Sequence, residues 1–205
     1  MIKLIVFDLG GVVVKYDWTI ANNSFAKYTN LSPDQVMERL IKSSINKDFE
    51  LGRISAPDFC KQITNLLEAK MDMKTFAEIW CNIFSQNYSL VRLLRHMKGK
   101  YTLYLLSNSN ELQFNFIKEK FPIIEGFDKL ILSHKIGMRK PDKEIFDYVL
   151  KVSGLEAHEI IYIDDKKEFI DKAAEYGFNT IHYTSVAELE EYLKSMEVEV
   201  EPQSL

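Results

Sequence analysis

Cysteines are few in this chain of 205 residues, and long apolar runs and an excess of basic residues are missing. Its two cysteines, Cys60 and Cys81, stand alone in segments with helical spacing. They predict buried thiols in a reducing compartment and argue against a disulfide or a cysteine metal site. The 26 Lys and Arg against 30 Asp and Glu give a net charge of -4. Because the basic residues form no stripe, we expect no nucleic-acid partner.

Membrane and export signals are also missing. No apolar run is long enough to span a bilayer, and the first one is too short for a signal peptide because Asp8 ends it. We therefore expect a cytoplasmic protein without a membrane partner. The four histidines show no ligand spacing. A G-x-x-x-x-G-K-[S/T] phosphate loop does not occur, which argues against ATP hydrolysis of that kind.

Five short apolar runs rich in β-branched residues predict strands. They are Lys3–Phe7, Tyr101–Leu106, Lys129–Leu132, Ile160–Ile163 and Thr180–Tyr183. Runs this apolar are typical of parallel strands covered on both faces. Segments with helical spacing separate the later runs, and this alternation predicts an α/β fold with a doubly wound parallel sheet.

The alternation breaks between the first two runs, where roughly seventy residues carry no convincing strand. Ser32 and Ser55, each closely followed by proline, predict helix starts, and Gly52 predicts a helix end. A crossover between parallel strands needs only about a dozen residues. We therefore expect an inserted subdomain of about four helices. The predicted boundaries are 1–14 and 89–197 for the α/β core, 15–88 for the insertion and 198–205 for a frayed tail.

Polar residues follow several predicted strands. Asp8 follows the first, Ser107-Asn108-Ser109 the second and Asp164-Asp165 the fourth, while Lys140 lies beyond the third. Ligands of open parallel sheets bind at the carboxyl ends of the strands, so these groups converge on one crevice. Three carboxylates without a nearby His or Cys suit Mg²⁺, whereas Ser107 and Lys140 can hold a phosphate. Together they favour phosphoryl transfer to a carboxylate.

Four segments resemble, in order, the motifs of the haloacid dehalogenase superfamily. They are D-L-G-G-V at 8–12, L-L-S-N-S at 105–109, G-M-R-K-P-D at 137–142 and I-D-D at 163–165. E-L-G-R-I-S at 50–55 is similar to a phrase common in the helical caps of these proteins. The resemblance implies a Rossmann-like core and identifies the insertion, residues 15–88, as a cap. It also implies a magnesium-dependent phosphatase.

The resemblance further implies a role for each matching residue. Asp8 would be the nucleophile that forms an aspartyl-phosphate. Mg²⁺ would be held by Asp8, the backbone carbonyl of Gly10, Asp164 and, through water, Asp165. The phosphate would be held by Ser107, Lys140 and the backbone N–H of Asn108.

The chain departs from the family pattern at two positions. Gly10 stands where a second aspartate usually protonates the leaving oxygen, a contribution of about 10²–10⁴-fold in rate. Phe169 replaces a polar residue, which puts the hold on Asp165 in question. We therefore expect good leaving groups, such as anomeric sugar or aryl phosphates, to react best. Asp17 is a candidate replacement acid, and an exposed hinge residue is the other interpretation.

The sequence thus predicts a magnesium-dependent phosphatase of a small phosphorylated metabolite, such as a sugar phosphate. Three alternatives stay open. A 2-haloacid dehalogenase also lacks the second aspartate, but that branch uses no metal and does not keep an Asp-Asp pair. A phosphotransferase such as a mutase would need the missing acid. A catalytically impaired protein could use the same residues only to bind a phosphorylated ligand or a partner.

Overall fold

The computed structural model describes residues 1–200, which contain seven strands and eleven α-helices. The strands are β1 (Leu4–Phe7), β2 (Val14–Tyr16), β3 (Phe84–Gln86), β4 (Thr102–Ser107), β5 (Lys129–Leu132), β6 (Ile160–Asp164) and β7 (Asn179–His182). The helices are α1 (Trp18–Phe25), α2 (Pro33–Lys42), α3 (Ile45–Glu50), α4 (Ala56–Leu66), α5 (Met73–Cys81), α6 (Tyr88–Met97), α7 (Glu111–Lys120), α8 (Ser133–Ile136), α9 (Lys143–Ser153), α10 (Lys167–Glu175) and α11 (Val186–Ser195). None of these helices is long and apolar enough to cross a membrane.

Five parallel strands form the central sheet in the order β5-β4-β1-β6-β7. All four residues of β1 are buried. Ile5 and Phe7 pack into an apolar cluster on one face, and Leu4 and Val6 pack into a second cluster on the other. Burial on both faces is what the unbroken apolar runs predicted. The α/β doubly wound fold is confirmed, and each predicted strand lies within one residue of its observed ends.

Helices α1 to α5 carry a separate apolar core. Phe25, Phe59, Phe76 and Trp80 are buried in it, with the rings of Phe59 and Trp80 5.0 Å apart. As predicted, serines cap two of these helices: Ser32 accepts from the Gln35 N–H and Ser55 from the Asp58 N–H. The expected number of about four helices was wrong, since five lie in this part of the chain.

The expectation that this segment contains no strand was also wrong. The three residues of β2 pair antiparallel with those of β3, joining the chain that enters the helical segment to the chain that leaves it. Strands of three residues with mixed polarity carry no readable periodicity, which is why they were missed. Next to β3, the side-chain amide of Asn87 donates to the Val12 carbonyl at 2.7 Å and to the Tyr183 hydroxyl at 2.8 Å. These bonds fix the base of the cap to the core.

The described end of the chain packs against the core. Val198 and Val200 are buried in the apolar cluster that contains Phe7. Between them, the backbone N–H of Glu199 donates to the Tyr101 hydroxyl at 2.9 Å. The predicted tail therefore begins as packed chain, and its remainder, residues 201–205, lies outside the described residues. The boundaries between core and cap stay predictions.

Candidate active site

The three aspartates singled out in the sequence meet at the carboxyl end of the sheet. Asp8 directly follows β1, and its backbone N–H donates to the Ile163 carbonyl of the neighbouring strand β6 at 2.9 Å. Asp164 ends β6, and Asp165 follows it. One carboxylate oxygen from each of the three lies within 4.8 Å of the other two. Adjacent parallel strands thus bring together residues more than 150 positions apart in the chain.

Lys140 lies between these carboxylates, with only 1% of its surface exposed. Its Nζ donates to Asp8 Oδ1 at 2.7 Å, to Asp164 Oδ2 at 2.6 Å and to the Leu106 carbonyl at 3.1 Å. The ring of Phe169 lies 5.2 Å from Nζ, so the polar residue expected there is replaced by an aromatic contact to the cation. Three acceptors around one buried ammonium leave it fixed in place. Its predicted contact with a phosphate stays a prediction.

Asn108 positions the Lys140 segment with its side chain. Its amide oxygen accepts from the Lys140 N–H at 2.8 Å, and its amide nitrogen donates to the Lys140 carbonyl at 2.9 Å. The sequence had suggested a role only for the backbone N–H of Asn108, and nothing in the pattern indicates this side-chain clamp. Ser107 is buried at the end of β4, beside Asn108.

Burial shapes the electrostatics of the site. It raises the pKa of Asp8 to about 7, with Lys140 opposing the shift and Asp164 adding to it. Burial alone would lower the pKa of Lys140, but the Asp164 and Asp8 carboxylates outweigh it and the pKa is raised. Burial and then Asp164 raise the pKa of Asp165. Three carboxylates that repel one another around a single buried ammonium thus favour additional positive charge.

The chemistry of this cluster fits a divalent cation. Asp165 Oδ1 is buried and has no hydrogen-bond partner within residues 1–200. A Cβ at Gly11 would lie 2.3 Å from Asp165 Oδ2, and Gly11 has a φ of +88°. The glycine therefore leaves room for a carboxylate with an unused oxygen. Oxygen-only donors of this kind are the ligands that Mg²⁺ prefers in proteins.

The ring of Tyr16 lies next to Gly10, the position that lacks the second aspartate. A Cβ at Gly10 would lie 3.4 Å from Cε1 of the Tyr16 ring, so a longer side chain there would meet the ring. Sequence reasoning missed Tyr16. Asp17 is exposed, and its carboxylate caps α1 by accepting from the Thr19 N–H at 2.9 Å. The structure therefore favours the exposed hinge interpretation of Asp17 over the replacement acid.

A cavity of about 210 Å³, which we call the Asp8 cavity, opens above Asp8. Core residues that line it include Gly10, Asn108 and Lys140, and the cap contributes Trp18, Asn46 and Glu50. Glu50 Oε2 accepts from Arg139 at 3.1 Å and Oε1 accepts from the Asn46 amide at 2.9 Å. The phrase E-L-G-R-I-S thus begins with a residue that joins cap and core.

A second contact holds the cap close to the core. Gly52, with a φ of +67°, approaches α8 so closely that a Cβ there would lie 2.3 Å from the His134 carbonyl oxygen. Glycine is required at this contact both by its backbone conformation and by lack of space. No signal in the sequence had linked Gly52 to a partner across the site.

Known proteins share this architecture. The family model for haloacid dehalogenase-like hydrolases matches residues 2–175. A D-ribitol-5-phosphate phosphatase of Bacteroides thetaiotaomicron is 32% identical over 187 residues, covering 88% of this chain and 91% of the relative. A sesquiterpene phosphatase of Aspergillus oryzae is 28% identical, covering 89% and 90%.

The fold comparison agrees. A haloacid dehalogenase family enzyme from Bacteroides thetaiotaomicron, solved in complex with magnesium and inorganic phosphate, superposes with a TM-score of 0.80 at 27% identity. It covers 90% of this chain and 95% of that one. The sheet order, the acidic cluster and these matches lead to one conclusion: the chain belongs to the haloacid dehalogenase-like hydrolases.

Proposed function

We propose that this protein is a magnesium-dependent phosphatase of a small phosphorylated metabolite, with Asp8 as the nucleophile. The observation that carries the proposal is the Asp8 carboxylate, which lines the Asp8 cavity and lies 2.7 Å from the Lys140 ammonium. The two relatives named above are both phosphatases, although their names give different carbon skeletons, ribitol and a sesquiterpene. What they share is therefore the phosphate, which is the part of the substrate that this site is built to receive.

In the proposed reaction, a carboxylate oxygen of Asp8 attacks phosphorus, and the bond to the leaving oxygen breaks with its electron pair. Water supplies the proton that the leaving oxygen takes up, because Gly10 offers none. A second water, which gives a proton to the hydroxide left by the first, then attacks phosphorus, and the bond between phosphorus and the Asp8 oxygen breaks, which frees inorganic phosphate and restores the Asp8 carboxylate. Lys140 keeps Asp8 in place throughout.

Asp8, Asp164 and Asp165 would hold Mg²⁺, together with the backbone carbonyl of Gly10. When bound, the ion supplies positive charge that offsets the carboxylates and the phosphate. Ser107, Lys140 and the backbone N–H of Asn108 are proposed to contact the phosphate oxygens. Support for this assignment comes from the 4.8 Å spacing of the acidic oxygens and from the partnerless Asp165 Oδ1.

The absence of an acid at Gly10 makes the rate depend on the leaving group. Without proton donation, about 10²–10⁴-fold in rate is lost for alkoxide leaving groups, and less for stabilised ones. We expect kcat/KM across a series of aryl phosphates to fall steeply as the pKa of the leaving phenol rises. A flat series would show that another group donates the proton.

The decisive experiment is phosphate release from p-nitrophenyl phosphate and a panel of sugar phosphates, with and without Mg²⁺. Asp8→Asn is assayed beside Asp171→Asn, which removes an exposed carboxylate whose partner is Lys167. We expect Mg²⁺-dependent release by the wild type and by Asp171→Asn, and none by Asp8→Asn. Release that persists in Asp8→Asn would overturn the assignment of the nucleophile.

A second candidate is a catalytically impaired protein that binds a phosphorylated ligand or a partner, and Gly10 and Phe169 favour it. Its signature would be a folded protein that binds Mg²⁺ and phosphate but releases none from any substrate. The dehalogenase alternative is less favoured, because that branch does not keep an Asp-Asp pair and Asp164-Asp165 lies beside Asp8. A cytoplasmic location stays a prediction, supported by Cys60 and Cys81, which are both free and buried.

A further inference from the structure

The side chain of Tyr162 has no part in the reaction proposed above, yet its hydroxyl bonds directly to the site. Tyr162 lies on β6, is 1% exposed and belongs to the apolar cluster that contains Leu4 and Val6. The ring of Phe146 packs edge-on against it, with the ring centroids 5.7 Å apart. Because strand residues two apart share a face, the Tyr162 hydroxyl reaches Asp164 and donates to its Oδ2. A phenylalanine ring would fill nearly the same volume, so packing alone does not account for the hydroxyl.

The Lys140 ammonium already uses all of its hydrogen-bond donors. An ammonium group has three N–H donors. Nζ of Lys140 has three acceptors, namely Asp8 Oδ1, Asp164 Oδ2 and the Leu106 carbonyl. In the proposed function Lys140 also contacts a phosphate oxygen, so it has to release one of these acceptors. A buried acceptor that loses its donor without replacement destabilises the site.

Asp164 Oδ2 is the carboxylate oxygen that Lys140 can release without leaving it unpaired. It accepts from Tyr162 as well as from Lys140. Within residues 1–200, no second donor to Asp8 Oδ1 is found besides Lys140. The other oxygen of Asp164 accepts from the Lys166 N–H at 2.9 Å. Two donors would therefore still hold the Asp164 carboxylate after Lys140 had moved to the phosphate.

We propose that Tyr162 is a positioning residue, which holds Asp164 for Mg²⁺ while Lys140 binds the phosphate. The hydrogen bond between Lys140 and Asp164 is exchanged for one between Lys140 and a phosphate oxygen, and the Tyr162 hydroxyl keeps Asp164 Oδ2 paired. The inference rests on the proposed function in placing Mg²⁺ at Asp164 and the phosphate at Lys140. A hydroxyl that only satisfied the fold would act on stability and would be indifferent to phosphate.

Calorimetric titration of Mg²⁺ into the wild type and Tyr162→Phe, with and without saturating inorganic phosphate, tests the proposal without turnover. Without phosphate, Lys140 still donates to Asp164, so we expect the variant to bind Mg²⁺ less than about threefold more weakly than the wild type. With phosphate, Asp164 Oδ2 has lost both donors, and we expect Mg²⁺ affinity to fall at least about tenfold. By linkage, the phosphate affinity measured in saturating Mg²⁺ should fall by the same additional factor.

The matched control is Tyr104→Phe. Tyr104 belongs to the same apolar cluster, but it lies on β4, and its ring contacts the Lys129 ammonium at 5.6 Å. Removal of its hydroxyl should leave the Mg²⁺ affinity unchanged under both conditions. Melting curves of the two variants measure their stability. A lowered melting temperature of Tyr162→Phe with unchanged Mg²⁺ affinity would reduce the hydroxyl to a structural role and overturn the proposal.

A measurement on the wild type avoids any effect of the substitution on folding. A tyrosine hydroxyl proton that is buried and hydrogen-bonded is protected from exchange with water, and NMR detects that protection. We expect the hydroxyl proton of Tyr162 to stay protected when Mg²⁺ and inorganic phosphate are added together. Loss of its protection on this addition would show that Tyr162 does not hold Asp164 in the loaded site.

A decrease in Mg²⁺ affinity of the same size with and without phosphate would also overturn the proposal, because Lys140 would then not exchange its partner. Absence of Mg²⁺ binding by the wild type would overturn it as well. Failure of the proposed function looks different: the wild type would release no phosphate, even from p-nitrophenyl phosphate, whatever the Mg²⁺ affinity of Tyr162→Phe.

Discussion

The candidate site has two parts, a floor formed by Asp8, Lys140 and Asp164 at the ends of the core strands and the cap residues that face it, and the two parts differ in how their buried polar atoms are hydrogen-bonded. At the floor, Lys140 Nζ has three acceptors, and Asp164 accepts from Lys140, from the Tyr162 hydroxyl and from the Lys166 N–H. On the cap side, the buried atoms Asn46 Oδ1, Trp80 Nε1 and Arg139 Nε have no hydrogen-bond partner in the described chain. The floor is thus preorganised by the fold alone, whereas the cap side keeps buried polar atoms without partners in the described chain.

Of the changes that test this comparison, removal of the Lys140 ammonium should have the largest effect. Lys140→Met leaves the Asp8 and Asp164 carboxylates buried without their shared partner, and breaking a buried ion pair in this way typically destabilises a protein by about 3–5 kcal/mol. Phosphate release should fall below detection, because Asp8 also loses its fixed position. Urea denaturation and the p-nitrophenyl phosphate assay measure the two effects.

The matched control is Lys143→Met. Lys143 is exposed and pairs with Asp147 at 2.8 Å on the surface of α9. Exposed pairs contribute little, so this change should alter the free energy of unfolding by less than about 1 kcal/mol. Similar losses in the two variants would mean that the floor is not stabilised through Lys140.

The next largest effect is expected from pH, which changes the charge of Asp8 and with it the stability of the fold. Burial raises the pKa of Asp8 from 3.8 to about 7, so the folded protein favours the protonated carboxyl. The corresponding stabilisation is fully present below about pH 4 and is lost as the pH rises through about 7. Without metal, the free energy of unfolding should therefore fall by the order of 1–3 kcal/mol between about pH 5 and pH 8.

Magnesium should reverse that trend, since it binds the ionised carboxylates and competes with protons. We expect Mg²⁺ to raise the melting temperature more at pH 8 than at pH 6. Asp8→Asn removes the titrating group, and the difference between its pH profile and that of the wild type isolates Asp8 from other titrations. Parallel profiles would contradict the assignment of the raised pKa to Asp8.

A smaller effect is expected from Gly11→Ala, which places a methyl group 2.3 Å from Asp165 Oδ2. Gly154→Ala is the control, because Gly154 also has a positive φ, +66°, but a methyl group added there would meet no atom within 4 Å. Both variants carry backbone strain of about 1 kcal/mol. Only Gly11→Ala should also displace Asp165 and weaken Mg²⁺ binding, by about tenfold in calorimetry. Equal Mg²⁺ affinities in the two variants would show that Asp165 does not contribute to the metal site.

The sequence predicts that the floor residues meet, because they lie at the ends of neighbouring strands. Apolar runs located five strands, and a parallel sheet then brings Asp8 and Asp164 to one edge whatever the details of packing. Two features of the floor were not predicted: the side-chain clamp of Asn108, since an asparagine after a strand has many possible partners, and the bond from the Tyr162 hydroxyl to Asp164. The roles of these residues stay predictions.

The cap side chains that face the site could not be predicted, because their placement is not set by strand ends. Its helix starts were readable from Ser32 and Ser55, because capping is local. The residues that face the site, Asn46 and Tyr16, are placed by helix orientation and by strands of only three residues, which no pattern in the sequence specifies. Tertiary packing, and not local spacing, decides which cap side chains reach the site.

The smallest expected effect is that of Asn46→Leu on stability, and it tests the comparison most directly. Asn46→Leu removes a partnerless oxygen together with one bond to Glu50, so the two changes nearly cancel and the free energy of unfolding should move by less than about 0.5 kcal/mol. Asn87→Leu is the counterpart with satisfied partners: it leaves the Val12 carbonyl and the Tyr183 hydroxyl without their shared donor and should destabilise by about 1–3 kcal/mol. Urea denaturation of both variants without ligand measures the two changes in the free energy of unfolding. A loss in Asn46→Leu as large as that in Asn87→Leu would show that the Asn46 amide stabilises the fold as much as the fully paired amide of Asn87 does.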